Sequence, residues 1–550
     1  MDFDVIVVGG GHAGVEAACA AAHLGKRTLL CTLNIKMMAN TPCNPHIGGS
    51  AKGIVVREID ALGGMMGIAA DHHPLQIKML NTGKGPGVQC LRAQVDKKGY
   101  PAYMQSLVLA TPNLSVKECQ VKALLHDDKK VFGVITDTGE EITSKATIIT
   151  TGTYMESTII SGQDVHPGGP DGEKSSQGLS KCLQEMGLEI FRLKTGTPPR
   201  IKKESIDFSK AEIQPGQDGE LAFSFTTTHF TPLKDQLPCW LIYTSPETLK
   251  IIRDNLDKSA IFNGVIKGVG PRYCPAIESK VVRFADKPRH QLFLEPEFEF
   301  GDSIYLQGFS TGMPHEIQEK MVHSLPGLEH AEILKWSYEI EYDAIKPLQF
   351  DVGLHVKKYE GLYGAGQICG TSGYEEAAGL GLMAGINASR WIDGKEPFVL
   401  RRDESYIGVM IDDLITKGTD EPYRLMSSRA EYRLLLRHDN ADLRLCQHGH
   451  VVREISEGSL SYGHAKAIAS LSEQEIEEVV RLIHEENLSV RQTEELAKQY
   501  SRLPSVSPDQ ATLLKNTYHC SNVIIKKNAV TLTFNQEEEK EAFIASLLKK

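Results

Sequence analysis

The sequence predicts an α/β protein: a parallel-sheet domain interrupted by a long insertion, with a mainly helical α+β module after it. Three observations carry this. Val5-Ile6-Val7-Val8 runs straight into Gly9-Gly10-Gly11-His12-Ala13-Gly14 and the alanine-rich Glu16–Ala22, which reads as strand, tight turn and helix. The same grammar returns at Gly361–Gln367 followed by Gly373–Gly381, so the first domain is expected to resume there after an insertion. Past residue 450 the pattern changes to an amphipathic helix and two short strands.

Gly9, Gly11 and Gly14 form Gly-x-Gly-x-x-Gly. In a Rossmann-like unit the first glycine makes the turn, the second lets backbone approach a pyrophosphate, and the third lets helix pack on strand. A dinucleotide is therefore expected at the helix N-terminus, against the plainer reading of an ordinary strand–helix turn. The second strand, Arg27–Asn34, carries no acid at its end, which leaves Thr32 or Asn34 to meet the ribose.

At 550 residues with 41% hydrophobic content the chain exceeds one ordinary domain. The net charge of −11 argues against indiscriminate coating of nucleic acid but leaves room for a local basic patch. Eleven cysteines without a Cys-x-x-Cys pair read as reduced thiols in a cytoplasmic protein, with neither a disulfide framework nor a metal site. A strand is expected within a few residues of Met1, with no basic leader, and no apolar run reaches membrane-spanning length.

Asn40–Gly53 is a run of turn formers and reads as an irregular active-site loop. Its Cys43, between Pro42 and Pro45, suits a nucleophile near Lys52 or a helix N-terminus, and equally a space-filling thiol. Ile54–Met66 reads as helix, and Asn81–Gly87 as a glycine-rich loop with Lys84 and Arg92 as anion-contact candidates or solvated charges. Short strands are expected around 114–116, 121–125, 131–136 and 141–144, the last two joined at Thr138-Gly139, and then a separate buried strand from Ala146. From about Met155 to Leu354 the composition shifts. Gly264–Pro275 supplies a second glycine-rich loop with Cys274 beside a proline, while Arg272 and Lys280 suit a nicotinamide cofactor's phosphate. Two glycine-turn elements bracketing an insertion favour FAD over NAD as the fixed ligand. The chain thus divides into 1–154, 155–354 (nicotinamide and substrate), 355–450 and 451–550.

The stretches Val8–Gly14, Cys43–Gly49, Arg192–Arg200, Gly268–Glu278, Gly364–Ala378 and Glu421–Leu445 resemble the GidA/MnmG family of bacterial tRNA uridine-modifying flavoproteins, over roughly residues 1–450. The resemblance implies a glutathione-reductase-type FAD domain with an inserted NAD(P)-binding and substrate domain. It implies an enzyme that uses FAD, NADH and methylenetetrahydrofolate. With an MnmE-like GTPase, such an enzyme places a carboxymethylaminomethyl or aminomethyl group at C5 of the tRNA wobble uridine. It also implies a homodimer.

Carried over by the resemblance, the flavin contacts fall on Gly9, Gly10, Gly11, His12, Ala13 and Gly14, and on Val121, Ser176 and Gln367. The nicotinamide loop falls on Gly270, Pro271, Arg272 and Tyr273 and runs to Phe284. The catalytic pair falls on Cys43 and Cys274. A thiol suits this chemistry because C5 of uracil becomes nucleophilic once a thiolate adds at C6. Arg429 and Arg433, four residues apart, with Arg437 a turn further and Arg424 before them, are expected as a basic helical stripe for RNA phosphates. An ion-paired structural helix is the other reading.

The chain departs from the family at Gln89, Pro170-Asp171, Lys174-Ser175 and Cys369, where members carry Arg, Arg-Ala, paired prolines and Asn. Its terminal part departs further. Ser472-Glu473-Gln474-Glu475 reads as a capping box opening an amphipathic helix, and Asn522–Lys526 and Ala529–Phe534 as two strands, with no trace of the family's Lys-x-Glu-Gly-Tyr motif. Two alternatives stay open: a divergent FAD- and folate-dependent paralogue with another RNA target and no MnmE partner, and a flavin-bound RNA-binding protein without catalysis.

Overall fold

The computed structural model describes residues 1–272 and 275–445, scattered residues between 479 and 497, and two strands at 522–526 and 529–533. It divides into two compact units, 1–449 and 450–550.

In the first unit, Phe3–Val8 lies at the centre of a parallel sheet between Thr28–Thr32 and Glu141–Ile149, with Leu114–Glu118 outside Thr28–Thr32. Val5, Ile6 and Val7 are fully buried, as a strand covered on both faces requires. The strand Leu362–Gly364, more than 200 residues later, pairs parallel with Glu141–Ile149, so the chain returns to the sheet it left. The sheet expected to restart at Ala146 is instead one continuous strand from Glu141: its first half pairs antiparallel with Val131–Thr136, its second half parallel with Phe3–Val8.

Helix His12–His23 lies flat against helix Tyr374–Ile392 because glycines open the contact. A Cβ at Gly381 would stand 2.1 Å from Ala13 O, and one at Gly385 2.3 Å from Ala17 O. The helix expected over 54–66 ends at Ala61 and restarts at Met66. Gly63, at φ +85°, takes the left-handed turn that stops it.

Residues between these halves build two antiparallel sheets. One has the order Asp164–Pro167, Thr158–Ser161, Tyr338–Ile345, Ile190–Thr197. The other runs Glu212–Gln214, Cys239–Tyr243, Gln291–Pro296, Ser303–Gln307, Arg200–Lys202, Ile333–Lys335. The glycine-rich loop at 264–270 therefore sits on no parallel strand–turn–helix unit; Val269 bridges to Leu193 and the loop leads into the short helix Ile277–Arg283. A three-stranded sheet, His46–Gly48, Cys90–Val95 and Pro74–Leu80, gives regular structure to part of the loop expected to be irregular.

In the second unit the strands Asn522–Lys526 and Ala529–Thr533 pair antiparallel around Lys527-Asn528, as the sequence predicts. The capping box at Ser472 lies outside the described residues. Among the described residues no helix is long and apolar enough to cross a membrane, and no cluster of His, Cys, Asp and Glu could hold a metal ion.

Candidate active site

The glycine turn opens one end of a long cleft. Gly9 needs its φ of +114°, and any Cβ there would meet Thr150 O at 2.4 Å; a Cβ at Gly14 would stand 1.7 Å from Gly9 O. Gly11 differs: no atom lies within 4 Å of its Cβ position. It precedes helix His12–His23 without giving a side-chain cap, so the first-turn N–H groups are left for a ligand. Gly9 and Gly14 are thus held to glycine by close contacts of the turn, while the position of Gly11 is open. Gly10, expected as a flavin contact, is held small by Thr32 Oγ1 at 2.6 Å and Met38 Cγ at 2.9 Å.

The cleft is lined by the whole Gly9–Ala13 run and by Val121, Ser176 and Gln367, three residues placed there by resemblance alone. Two buried polar atoms on its wall, His12 Nε2 and Thr151 Oγ1, have no hydrogen-bond partner. The open space at Gly11, the uncapped helix and these two orphaned atoms fit a bound dinucleotide such as FAD. Burial brings the His12 imidazole down to about 4, so it is neutral near pH 7 and offers a neutral donor or acceptor.

Thr32 and Asn34 both line the cleft, each with a hydrogen bond of its own. The Thr32 hydroxyl donates to Asn34 O at 3.4 Å, while Asn34 donates to Glu173 Oε1 at 3.0 Å and accepts from Lys36 N–H. The second strand ends without an acid, but Glu173, 139 residues further on than Asn34, lines the cleft beside Thr32 and Asn34. No local pattern around the second strand could have found it.

A second cavity, of about 510 Å³, adjoins the first and shares Pro42, Thr153, Gln367, Gly373 and Tyr374 with it. Cys43 lines this cavity, half-buried, its thiol donating to Gly196 O at 3.5 Å. Arg92 is also here, bound to buried Glu295 at 2.6 Å and to Gln307 at 2.9 Å. Lys52 bridges Glu375 and Glu376, both at 2.9 Å; burial pulls its pKa down, but the two carboxylates hold it above the ordinary value. The cavity wall therefore carries cations fixed in pairs, a thiol, and the neutral His46, kept well below its usual pKa by burial and by Arg92. Lys84, by contrast, is exposed and lines neither cavity.

Tyr273 and Cys274 lie outside the described residues. Beside them, a Cβ on Gly270 would meet the Lys194 side chain at 2.4 Å, Pro271 is buried, and Arg272 pairs with Glu421 at 3.2 Å. Lys280 donates to Gly308 O.

The helical arginine stripe is not formed. Ser427–Arg429 is a single 3-10 turn, and Ala430 leaves it in extended conformation. Upstream, Tyr423 bridges Thr371 and exchanges backbone hydrogen bonds with Gly370 and Ser372, and downstream residues 431–435 form turns. Arg402 then takes Glu431 and the carbonyl of Arg429. Of the four arginines, Arg424 lines the second cavity, Arg429 folds over the Tyr423 ring at 4.1 Å, Arg437 pairs with Asp439, and Arg433 is exposed.

A family model described as glucose inhibited division protein A matches residues 4–396, and one described as ParB HTH domain matches residues 440–502. The tRNA uridine 5-carboxymethylaminomethyl modification enzyme MnmG of Bacillus subtilis (strain 168) is 56% identical over 455 residues, 83% of this chain and 72% of that protein. The enzyme of the same name from Lactococcus lactis subsp. cremoris (strain MG1363) is 56% identical over 467 residues, 84% and 75% of the two chains. The form II crystal structure of Aquifex aeolicus GidA superposes with a TM-score of 0.79 at 43% identity, covering 97% of this chain and 80% of that one.

Proposed function

The chain belongs to the glucose inhibited division protein A family, and from that premise we infer that it is an FAD-dependent tRNA-modifying enzyme acting at C5 of the wobble uridine. The observation that carries this reading is the 56% identity to enzymes of that named activity over more than four-fifths of the chain. None of the comparisons favours a paralogue with another RNA target.

In this reading Gly9–Ala13, Val121, Ser176 and Gln367 line the site of the flavin dinucleotide, with Glu173 added at the ribose end, and Gly14, which does not line the cleft, keeps the turn closed against the helix. Bound FAD supplies the two-electron chemistry that converts a folate methylene into the unit joined to C5. The chain's own part begins at Cys43, whose thiolate adds to C6 of uracil, raises electron density at C5, and leaves once C5 has lost its proton. The five residues that the cavity shares with the cofactor cleft support placing the base beside the redox group. Cys274 is proposed as the second thiol, and Gly270–Phe284 with residues 155–354 as the place where NADH and methylenetetrahydrofolate are handled. Arg424 and exposed Arg433 are the arginines best placed for RNA contact. The resemblance supports a cytoplasmic homodimer working with an MnmE-like GTPase.

The likeness of residues 440–502 to the ParB HTH model supports a second proposal, that this stretch is a helix-turn-helix contacting duplex nucleic acid. It holds seven Lys and Arg against eleven Asp and Glu, so binding would rest on local contacts rather than on long-range attraction.

Nucleoside mass spectrometry of tRNA from cells with and without the gene tests the main reading. Loss of the carboxymethylaminomethyl-type wobble uridine is expected on deletion. Unchanged wobble uridines with another base altered would overturn it.

A further inference from the structure

The Pro42-Cys43-Asn44-Pro45 stretch belongs to no strand or helix, and its prolines have no amide proton with which to anchor it. What fixes it comes from far away in the chain. The Tyr374 hydroxyl oxygen accepts both amide protons the stretch has, from Cys43 at 2.8 Å and Asn44 at 3.2 Å. On the carbonyl side, Cys43 O accepts from Thr197 Oγ1 at 3.1 Å and from the Arg200 guanidinium at 3.3 Å, and Pro42 O accepts from the same guanidinium nitrogen at 2.9 Å.

Arg200 cannot move to suit the loop. Its side chain is 3% exposed and is held by Glu297 at 3.0 Å and Pro198 O at 2.9 Å, while Glu297 is itself bound by Ser303 at 2.6 Å. Tyr374 is fixed as well, as the first residue of helix Tyr374–Ile392, with its ring stacked on His12 at 4.8 Å between centroids. His12 belongs to the glycine turn, and Tyr374 lines both cavities. One side chain therefore touches the dinucleotide turn, the wall between the cavities and the backbone of the thiol.

We propose that Tyr374 and Arg200 are positioning residues for Cys43, a proposal that rests on the reading of Cys43 as the thiol that adds to uracil. Tyr374 sets the thiol's place relative to the cofactor cleft, and Arg200 anchors it from the antiparallel sheet. Together they keep Sγ against Gly196 O rather than free in the cavity.

Tyr374→Phe removes one oxygen and keeps the ring on His12, which makes it the informative variant; Arg200→Lys, which keeps the charge beside Glu297, is the second. Both are purified as full-length flavoprotein. In Tyr374→Phe, flavin content and KM for tRNA are expected to stay within about twofold, while kcat falls about tenfold to a hundredfold, the scale of an ångström-sized misplacement. Iodoacetamide labelling of Cys43, read by peptide mass spectrometry against buried Cys369, is expected to accelerate about fivefold or more as the loop loosens. Labelling and kcat both within twofold of wild type, with flavin intact, would overturn the proposal. Turnover by Cys43→Ser would instead remove the catalytic reading, and because labelling does not depend on turnover the positioning role would still be decided by the labelling rates.

Discussion

At the scale of single residues, Gly11 and Gly14 look alike in the motif but face different surroundings, which separates cofactor binding from folding. Gly11 has φ −73°, which alanine adopts without strain, and its Cβ position is open; Gly14 is closed by Gly9 O. Gly11→Ala is expected to fold with the melting temperature of the apo wild type yet lose about tenfold or more in FAD affinity, its methyl group occupying the phosphate's space. Gly14→Ala is expected to cost at least about 2 kcal/mol of stability whether or not FAD is present. Thermal melts and flavin titration decide it, and full FAD affinity in a folded Gly11→Ala would sink the assignment of the turn to the phosphates. Residue types at fixed local spacing were readable in this way because the motif is defined by backbone sterics. Glu173 was not, since its place beside Asn34 depends on a fold that joins residues 139 apart. Cys43 was readable as a candidate, whereas Tyr374 and Arg200, which hold it, carry no local sign of that work.

Elements were legible where their own pattern settles them and illegible where a neighbour does. The buried strand Phe3–Val8, the helix after it and the hairpin at Thr138-Gly139 follow from periodicity and turn chemistry. The segment 421–437 has helical arginine spacing, but Tyr423 pairs with Gly370 and Ser372, Ser427–Arg429 is a single 3-10 turn and residues 431–435 form turns, with Arg402 holding Glu431 and the Arg429 carbonyl; these tertiary contacts outweigh a surface pattern. The start of helix Met66–His72 shows the same dependence, since its amides at Met65 and Met66 are satisfied by Glu16, a buried side chain of the first helix. Burial raises the Glu16 carboxyl to about 7, against the lowering effect of those two amides. A raised folded-state pKa means the protonated form is favoured in the native state. The resulting stability is fully present below the unfolded value of 4.5 and is lost as pH rises through about 7. The loss is of order 3 kcal/mol. Glu16→Gln removes this titration, so its melting temperature is expected to fall less than that of wild type between pH 6 and pH 8.5. Parallel curves for the two proteins would show that Glu16 does not titrate there.

For the whole molecule, the described residues that line the cofactor cleft and the adjoining cavity, from Val8 to Met426, all belong to the first unit, and the family-model match to glucose inhibited division protein A ends at residue 396. In the second unit the two strands are the part of the expectation that the described residues show, and a separate family model matches residues 440–502, starting before the unit boundary at 449. A chain built this way should lose its functions separately. Truncation after Gly449 is expected to leave flavin content per protein and the visible flavin spectrum within about 20% of full length, because none of the described lining residues is removed and the sheet centred on Phe3–Val8 keeps its described strands. The same truncation is expected to abolish binding of a labelled 20-base-pair duplex, measured by fluorescence anisotropy at 50 and 200 mM salt, if residues 440–502 act as a helix-turn-helix. Duplex binding that survives truncation would place any nucleic-acid surface on the first unit and remove the helix-turn-helix proposal. A colourless truncation product would show that the dinucleotide site needs residues beyond 449, contrary to the composition of its walls.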